Sequence, residues 1–323
     1  MNVTNKPSLV ILTGPTAVGK TELSVALAKK IDGEIISADS MQVYRHMDIG
    51  SAKIKPDEMD GIPHHLIDVL EPTDEFNVVS FQQMAKQAMV EIYDRGHIPI
   101  VAGGTGFYIQ ALLYDIDFTD NDEDTALRRH LEEIAKTQGS EVLYDRLRQI
   151  DPESCENIHA NNVKRVIRAI EFYEKTGMKI SEHNQMQRQN CSPYNFAYFV
   201  LNDDRDKLYR GIEKRVDAMM AQGLVDEVKQ LADSGCTRDM VSMQGLGYKE
   251  ILDYLDGRIT LEEAVYLIKR DTRHFAKRQL TWFRRERDII MVNKPDFSYD
   301  NDWILDFFIE ILQEKGILKN DLN

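Results

Sequence analysis

Three short apolar runs, rich in β-branched residues, mark the amino-terminal part of the chain. They cover residues 9–13, 34–38 and 98–102, and such runs are typical of buried parallel strands. Between them, apolar residues recur with helical spacing at Leu23, Ala26, Leu27 and Ile31, and again over residues 81–93. Strand, helix and strand within about 30 residues form a βαβ unit. The pattern therefore predicts an α/β fold built on a parallel sheet.

The pattern changes after about residue 118. Residues 118–193 contain charged segments with helical spacing and no strand pattern, between the acidic stretch 120–124 and Cys191-Ser192-Pro193. Strand patterns return at 196–201 and, after mainly helical segments, at 289–292. We therefore expect an α/β core made of residues 1–117 and 194–323, with residues 118–193 inserted as an all-helical domain.

Composition narrows the class of protein. The 323 residues include 40 Lys and Arg against 54 Asp and Glu, a net charge of -14; taken alone, this charge argues against a nucleic-acid partner. Three widely separated cysteines indicate neither a disulfide framework nor a zinc cluster. The amino terminus lacks a signal-peptide pattern, and no run approaches the about 18 apolar residues of a membrane span. We expect a cytoplasmic protein without a membrane partner.

A phosphate-binding motif follows the first predicted strand. Gly14-Pro15-Thr16-Ala17-Val18-Gly19-Lys20-Thr21 matches G-x-x-x-x-G-K-[ST] and precedes a predicted helix, as the motif requires. Glycines let backbone N–H groups converge on an anion, and the start of the helix adds partial positive charge. Lys20 would hold terminal phosphate oxygens, and the Thr21 hydroxyl would bind Mg²⁺. The sequence predicts a bound diphosphate or triphosphate.

The other features of a P-loop ATPase are partly missing. The strand at 98–102 runs into Gly-Gly-Thr-Gly without a Walker-B aspartate, whereas the strand at 34–38 is followed by Asp39. Ligands of open α/β sheets bind beyond the carboxyl ends of the strands, so Asp39, Thr105 and the P-loop should converge. Asp39 could act as a general base, bind magnesium, or simply cap the next segment.

Seven motifs together resemble those of the tRNA dimethylallyltransferases, also called tRNA isopentenyltransferases, of the bacterial type. In order they are GPTAVGKT (14–21), DSMQVY (39–44), PHHLID (63–68), GGTGFY (103–108), KRVIRA (164–169), GLGYKE (245–250) and KRQLTWFR (277–284). The resemblance implies a P-loop fold and Mg²⁺-dependent transfer of a dimethylallyl group from dimethylallyl diphosphate. The acceptor would be N6 of the adenosine immediately 3′ of the anticodon, in tRNAs that read codons beginning with U.

The resemblance also implies roles for individual residues. Asp39 would be the base, and Lys20 and Thr105 would also be catalytic. Asp39 and Thr105 would contact the target nucleotide of the tRNA, and Lys20, Thr21 and the loop amides would hold the diphosphate. Ser40, Met41 and Gln42 would contact the tRNA, the first and third at the adenine edge. Arg215, expected to open a helix, would contact the diphosphate or else form a surface ion pair.

Two basic regions would bind the anticodon stem-loop. Between residues 264 and 287 lie eight basic and two acidic residues, a local charge of +6, and a basic helical stripe with interleaved aromatics suits RNA. A solvated helix face over core aromatics is the alternative. The predicted tRNA contacts here are Lys277, Arg278, Gln279, Trp282 and Arg284. The inserted domain would add Arg128, Lys164, Arg165 and Arg168, and the GLGYKE turn would add Lys249.

Three other functions share part of this pattern. A small-molecule kinase would need the P-loop but not the basic helix. An adenylate isopentenyltransferase acting on free AMP or ATP would share the chemistry and leave both basic regions without a ligand. A non-catalytic RNA-binding ATPase is disfavoured by the missing Walker-B aspartate. We expect the tRNA-modifying enzyme, acting as a monomer.

Overall fold

The computed structural model describes residues 6–118 and 126–319. Within them the chain divides into two compact units, one falling in Met1–Leu113 and Pro193–Asn323 and the other in Tyr114–Ser192. The acidic stretch 120–124, which the sequence places at the start of the insert, lies outside the described residues.

A parallel sheet of six strands lies in the first unit, in the order β3-β2-β4-β1-β5-β6. The strands are β1 (Ser8–Thr13), β2 (Gly33–Ala38), β3 (His64–His65), β4 (Ile98–Gly103), β5 (Asn195–Asn202) and β6 (Ile289–Asn293). The five longer strands contain the predicted runs. The two residues of β3 are too few to show a hydrophobic pattern, which is why the sequence does not predict this strand.

Helices follow the strands and fill the insert. Before and within the insert they are α1 (Lys20–Ile31), α2 (Val78–Asp94), α3 (Gly106–Leu113), α4 (Ala126–Gln138), α5 (Ser140–Ile150), α6 (Val163–Thr176) and α7 (Ile180–Arg188). After the insert they are α8 (Arg205–Gln222), α9 (Leu224–Asp233), α10 (Tyr248–Leu255), α11 (Leu261–Phe283) and α12 (Asn301–Glu314). Among the described residues, no helix is long and apolar enough to cross a bilayer.

Apolar packing explains why these elements form. Strand β1 buries Leu9, Val10, Ile11 and Leu12 almost completely, as expected for a central parallel strand with helices on both faces of the sheet. On one of these faces, Phe199 of β5 packs against Phe308 of α12, with ring centroids 4.3 Å apart. The second unit has its own core, formed by Leu131, Leu143, Leu147, Val166 and Ile170 among others. The predicted α/β fold with a parallel sheet is confirmed.

The strand order determines where polar side chains can meet. Strands β2, β4 and β1 are adjacent and parallel, so their carboxyl ends lie at one edge of the sheet. From that edge emerge the P-loop after β1, Asp39 after β2 and Gly104 after β4. This is the edge at which open α/β sheets bind ligands.

Candidate active site

The P-loop turns sharply between β1 and α1. Gly14 has φ +149°, and a Cβ there would lie 2.5 Å from the carbonyl oxygen of Leu201, so no side chain fits. Gly19 has φ +94°, a left-handed conformation that glycine adopts without strain. Between them Val18 is buried, with 2% exposed, and anchors the loop in the core. The loop is thus held with its amides at the start of α1, where an anion is stabilised.

Lys20 lies in the pocket that this loop encloses. Its ammonium group donates to the carbonyl oxygens of Gly14 at 3.0 Å and Pro15 at 2.8 Å. Burial lowers the pKa of Lys20 to about 7, helped by repulsion from Arg215 and opposed by attraction to Asp39. An anionic ligand in the pocket would favour the charged ammonium.

Asp39 bonds the backbone and also lines the pocket. Its Oδ1 accepts hydrogen bonds from the backbone N–H of Met41 at 2.8 Å and of Gln42 at 3.4 Å. Within the described residues, its Oδ2 has no bonded partner. Burial raises the pKa of Asp39, against the effect of these N–H groups and of Lys20 and Arg215. Asp39 therefore caps the following segment, as considered from the sequence. Its Oδ2 is not used in this cap and could contact a ligand.

Arg215 belongs to the same pocket. It lies in the middle of α8, so the expectation that it opens a helix is wrong. Its Nη1 donates to Thr16 Oγ1 at 3.3 Å, and no ion pair of Arg215 occurs in the part of the chain that the structure describes. Burial lowers its pKa, partly offset by Asp39. The alternative of a surface ion pair finds no support in this geometry.

Gln42 lines the pocket together with Asp39, whereas Ser40 and Thr105 belong to the loops after β2 and β4 without lining it. The backbone N–H of Thr105 donates to the Ala38 carbonyl at 3.1 Å, and Thr105 precedes α3. Ser40 and Thr105 are half-buried. The Gln42 amide accepts from Ser37 Oγ at 3.0 Å and donates to the Ala52 carbonyl at 3.3 Å. Both ends of this amide therefore bond within the protein, although the sequence suggests a contact with adenine.

Gln279 is likewise turned inward. It reaches the P-loop and the loop after β4 from α11, with 6% of its surface exposed. Its helix neighbours Lys277 and Arg278 are exposed. The tRNA contact predicted for Gln279 would require its amide to break its hydrogen bonds with Thr16 of the P-loop and with Gly104.

The DSMQVY and GLGYKE segments pack against each other. A Cβ at Gly245 would lie 2.8 Å from the Met41 sulfur. Tyr248 is fully buried and donates from its hydroxyl to Glu227 at 2.8 Å. Lys249 is half-buried, with its Nζ 3.4 Å from Glu250.

Glu227 was not singled out by the sequence. Besides Tyr248, its carboxylate accepts the backbone N–H groups of Asp48 at 2.9 Å, Ile49 at 2.7 Å and Gly50 at 3.0 Å. The following residues, Ser51 and Ala52, line the pocket. One carboxylate on α9 therefore holds a pocket wall that is almost 180 residues away in sequence, which no local pattern reveals.

The carboxyl-terminal half of α11 presents a cationic surface. A shallow cavity there is lined by His274, Lys277, Arg278, Thr281, Trp282 and Arg285. Trp282 contacts Phe107 edge to face, with ring centroids 6.2 Å apart, and lies so close to Gly106 that no Cβ fits. Arg284 is exposed at the end of the helix. Cations and an aromatic ring at one surface are suited to RNA.

The earlier cations of the same helix have acidic partners. Arg273 pairs with Glu213 at 2.9 Å, Lys269 with Asp217 at 2.5 Å, and Arg270 with its neighbour Asp271 at 2.8 Å. The basic stripe expected along the whole helix is therefore neutralised in its first part. The cations left for an anionic ligand are concentrated toward the end of the helix.

The inserted unit carries a second group of cations. Arg128 pairs with the buried Glu171 at 2.7 Å, while Lys164, Arg165 and Arg168 are exposed on α6. Although Arg168 is exposed as a residue, desolvation of its guanidinium group lowers its pKa, and repulsion from Arg128 lowers it further. The cations of Arg128 and Arg165 are therefore close enough to repel that of Arg168.

Few residues here could bind a metal ion. In the described part of the chain no group of three or more His, Cys, Asp or Glu side chains could hold one. The pocket does contain the Thr21 hydroxyl and the Asp39 carboxylate. Because Mg²⁺ is commonly held by one or two protein oxygens together with substrate phosphates, this donor set fits Mg²⁺ bound with a diphosphate.

Comparison with known proteins identifies the family. The IPP transferase family model matches residues 42–286. The tRNA dimethylallyltransferase of Lachnoclostridium phytofermentans is 62% identical over 311 residues, which cover 96% of this chain and 99% of that protein.

Solved structures of similar proteins lead to the same family. A tRNA isopentenylpyrophosphate transferase from Bacillus halodurans is 46% identical, with a TM-score of 0.73 over 97% of this chain and 99% of that chain. A eukaryotic dimethylallyltransferase, solved acting on tRNA, is 30% identical, with a TM-score of 0.81 over 98% of this chain and 81% of that chain. The chain belongs to the IPP transferase family, which confirms the relationship that its seven motifs predict.

Proposed function

We propose that this chain transfers the dimethylallyl group of dimethylallyl diphosphate to N6 of the adenosine immediately 3′ of the anticodon, in tRNAs that read codons beginning with U. One observation carries the proposal most directly. A single pocket joins the P-loop to the Asp39 carboxylate, and the helix that closes it, α11, ends in a cationic surface. The names of the similar proteins, given above, support the same reaction.

The acceptor nitrogen needs a base. The exocyclic amine of adenine is a weak nucleophile, so it must lose its proton as the new N6–C1 bond forms. Asp39 offers a carboxylate whose Oδ2 has no bonded partner in the described residues, and its raised pKa makes it a better proton acceptor than an ordinary aspartate. The proton would pass from N6 to Asp39.

The leaving group needs stabilisation. As the C1–O bond breaks, negative charge grows on the diphosphate, and groups that bind this charge more strongly in the transition state accelerate the reaction. Lys20, Arg215 and the loop amides surround that position. Mg²⁺, held by Thr21 and the diphosphate with Asp39 nearby, would supply further charge neutralisation.

The acceptor is RNA rather than a free nucleotide. The target base must be unstacked from the anticodon loop to reach the pocket, which requires a hold on the surrounding backbone. Lys277 and Arg278 on α11, Arg284 directly after it, and the arginines of the inserted unit can provide this hold. A free adenylate would leave these cations without a ligand. We further propose that the protein acts in the cytoplasm and as a monomer; the monomer is proposed because the pocket and the cationic helix belong to one chain.

Labelled dimethylallyl diphosphate tests the proposal. The protein is incubated with Mg²⁺ and with either an anticodon stem-loop or AMP. We expect label in the RNA and none in AMP. Label in AMP alone would favour the adenylate isopentenyltransferase. In a separate incubation with ATP and a small-molecule acceptor, transfer of phosphate would favour the kinase.

A further inference from the structure

Gln279 is a buried polar residue on a helix whose exposed end is cationic. Its amide makes two hydrogen bonds with backbone groups far away in sequence. Oε1 accepts the N–H of Thr16 at 2.9 Å, and Nε2 donates to the carbonyl of Gly104 at 2.9 Å. A buried amide with both ends satisfied favours one arrangement of its partners.

The two bonds join the two walls of the pocket. Thr16 belongs to the P-loop, and its hydroxyl also receives the bond from Arg215. Gly104 follows β4 and directly precedes Thr105. The Gln279 side chain thus spans from the loop that would hold the diphosphate to the loop that would face the adenosine.

Gly104 is matched to this side chain. A Cβ at position 104 would lie 2.2 Å from Gln279 Nε2, whereas the next neighbour that is not part of Gln279 is 3.9 Å away. Alanine at position 104 therefore fits only if the Gln279 amide moves. The Gln279 amide occupies the space that a side chain at position 104 would need.

We propose that Gln279 is a positioning residue that sets the distance between the donor and acceptor walls of the pocket. The proposal rests on the proposed function and assigns Gln279 to the reaction geometry instead of to RNA contact. In-line transfer requires the reacting atoms to be about 3–3.5 Å apart, and a displacement of about 1 Å lowers the rate about 10²-fold. Losing the bridge should therefore lower turnover more than it weakens binding of either substrate.

The first test uses Gln279→Met, which keeps the length of the side chain and removes both hydrogen bonds. We expect kcat to fall about 10- to 100-fold, with RNA affinity within about twofold of the parent. The control is Gln222→Met at the exposed end of α8, which should leave kcat unchanged. Weakened RNA binding with unchanged kcat would overturn the proposal and would favour the tRNA contact that the sequence predicts for Gln279.

The second test uses the match between positions 104 and 279. Gly104→Ala in the parent should lower kcat, because the methyl group displaces the amide. In the Gln279→Ala background the same change should cost less than about threefold, because the space is then empty, so the two effects should not add. Additive effects would overturn the proposal, and this cycle remains decisive if Gln279→Met folds poorly. Absence of transfer by the parent would contradict the proposed function instead.

Discussion

Asp39→Asn is the change that separates the two roles of this side chain. Asparagine keeps an Oδ1 that can accept the N–H bonds of Met41 at 2.8 Å and Gln42 at 3.4 Å, so the loop should stay in place. The second oxygen, Oδ2, is replaced by an amide nitrogen, which cannot accept a proton from the adenine amine. General base catalysis contributes about 10²- to 10⁴-fold, which corresponds to about 3–5 kcal/mol in the activation free energy.

Single-turnover transfer to an anticodon stem-loop measures that loss. The assay uses saturating dimethylallyl diphosphate, and RNA affinity is measured separately by filter binding. We expect the transfer rate to fall by at least about 10² while RNA affinity stays unchanged. Asp32→Asn, at a carboxylate that is 87% exposed, is the matched control and should be silent. A rate for Asp39→Asn within a few-fold of the parent would refute the assignment of Asp39 as the base.

Three further changes test the surroundings of the site. Lys277→Ala and Arg284→Ala should each weaken RNA binding and reduce its salt slope by about 1 without changing diphosphate affinity; equal slopes would exclude a phosphate contact. Glu227→Gln replaces one acceptor by an amide facing backbone N–H donors, and should lower the free energy of unfolding in urea by about 2–3 kcal/mol; an unchanged urea midpoint would contradict this. Glu34 is buried against Arg95 and two histidines, and the Arg95 hydrogen bond is the main reason that its pKa is lowered from 4.5 to about 2. Its stabilising effect should be complete above pH 4.5 and disappear toward pH 2, so Glu34→Gln should cost about 3 kcal/mol at neutral pH and little at the acid end; a constant difference would contradict the ion pair.

The parts of the site that follow directly from a strand could be predicted from the sequence. The P-loop and Asp39 come immediately after apolar runs. A parallel sheet therefore places both at the same edge, independently of the loop conformations. The local sequence of the P-loop also determines its own turn, because Gly14 and Gly19 occupy conformations or spaces closed to other residues. Helical spacing correctly places the cations of α11 on a single helix.

The parts that depend on distant partners could not be predicted. Gln279 directly follows the exposed cations Lys277 and Arg278, and only the folded chain shows that its amide bonds to Thr16 and Gly104. Likewise, nothing near Arg273 indicates that Glu213 on another helix neutralises it. Helical periodicity predicts on which face of its helix a residue lies. Its ion-pair partner depends on which other helix packs against that face.

The net charge of -14 misleads for the same reason. A sum over the chain carries no information on position, and long-range repulsion matters less than the charges within about a Debye length of the ligand. Here the acidic partners pair with cations of α11 up to Arg273, and exposed cations remain toward the end of the helix. A net acidic chain can thus offer RNA a locally basic surface.

The modified tRNA itself shows whether the protein carries out the proposed transfer. A tRNA that reads codons beginning with U is incubated with the protein, dimethylallyl diphosphate and Mg²⁺, then digested to nucleosides and to oligonucleotides for mass spectrometry. We predict one dimethylallyl group per tRNA, on N6 of the adenosine immediately 3′ of the anticodon. A dimethylallyl group at any other position, or an unmodified tRNA beside a prenylated free adenylate, would contradict it.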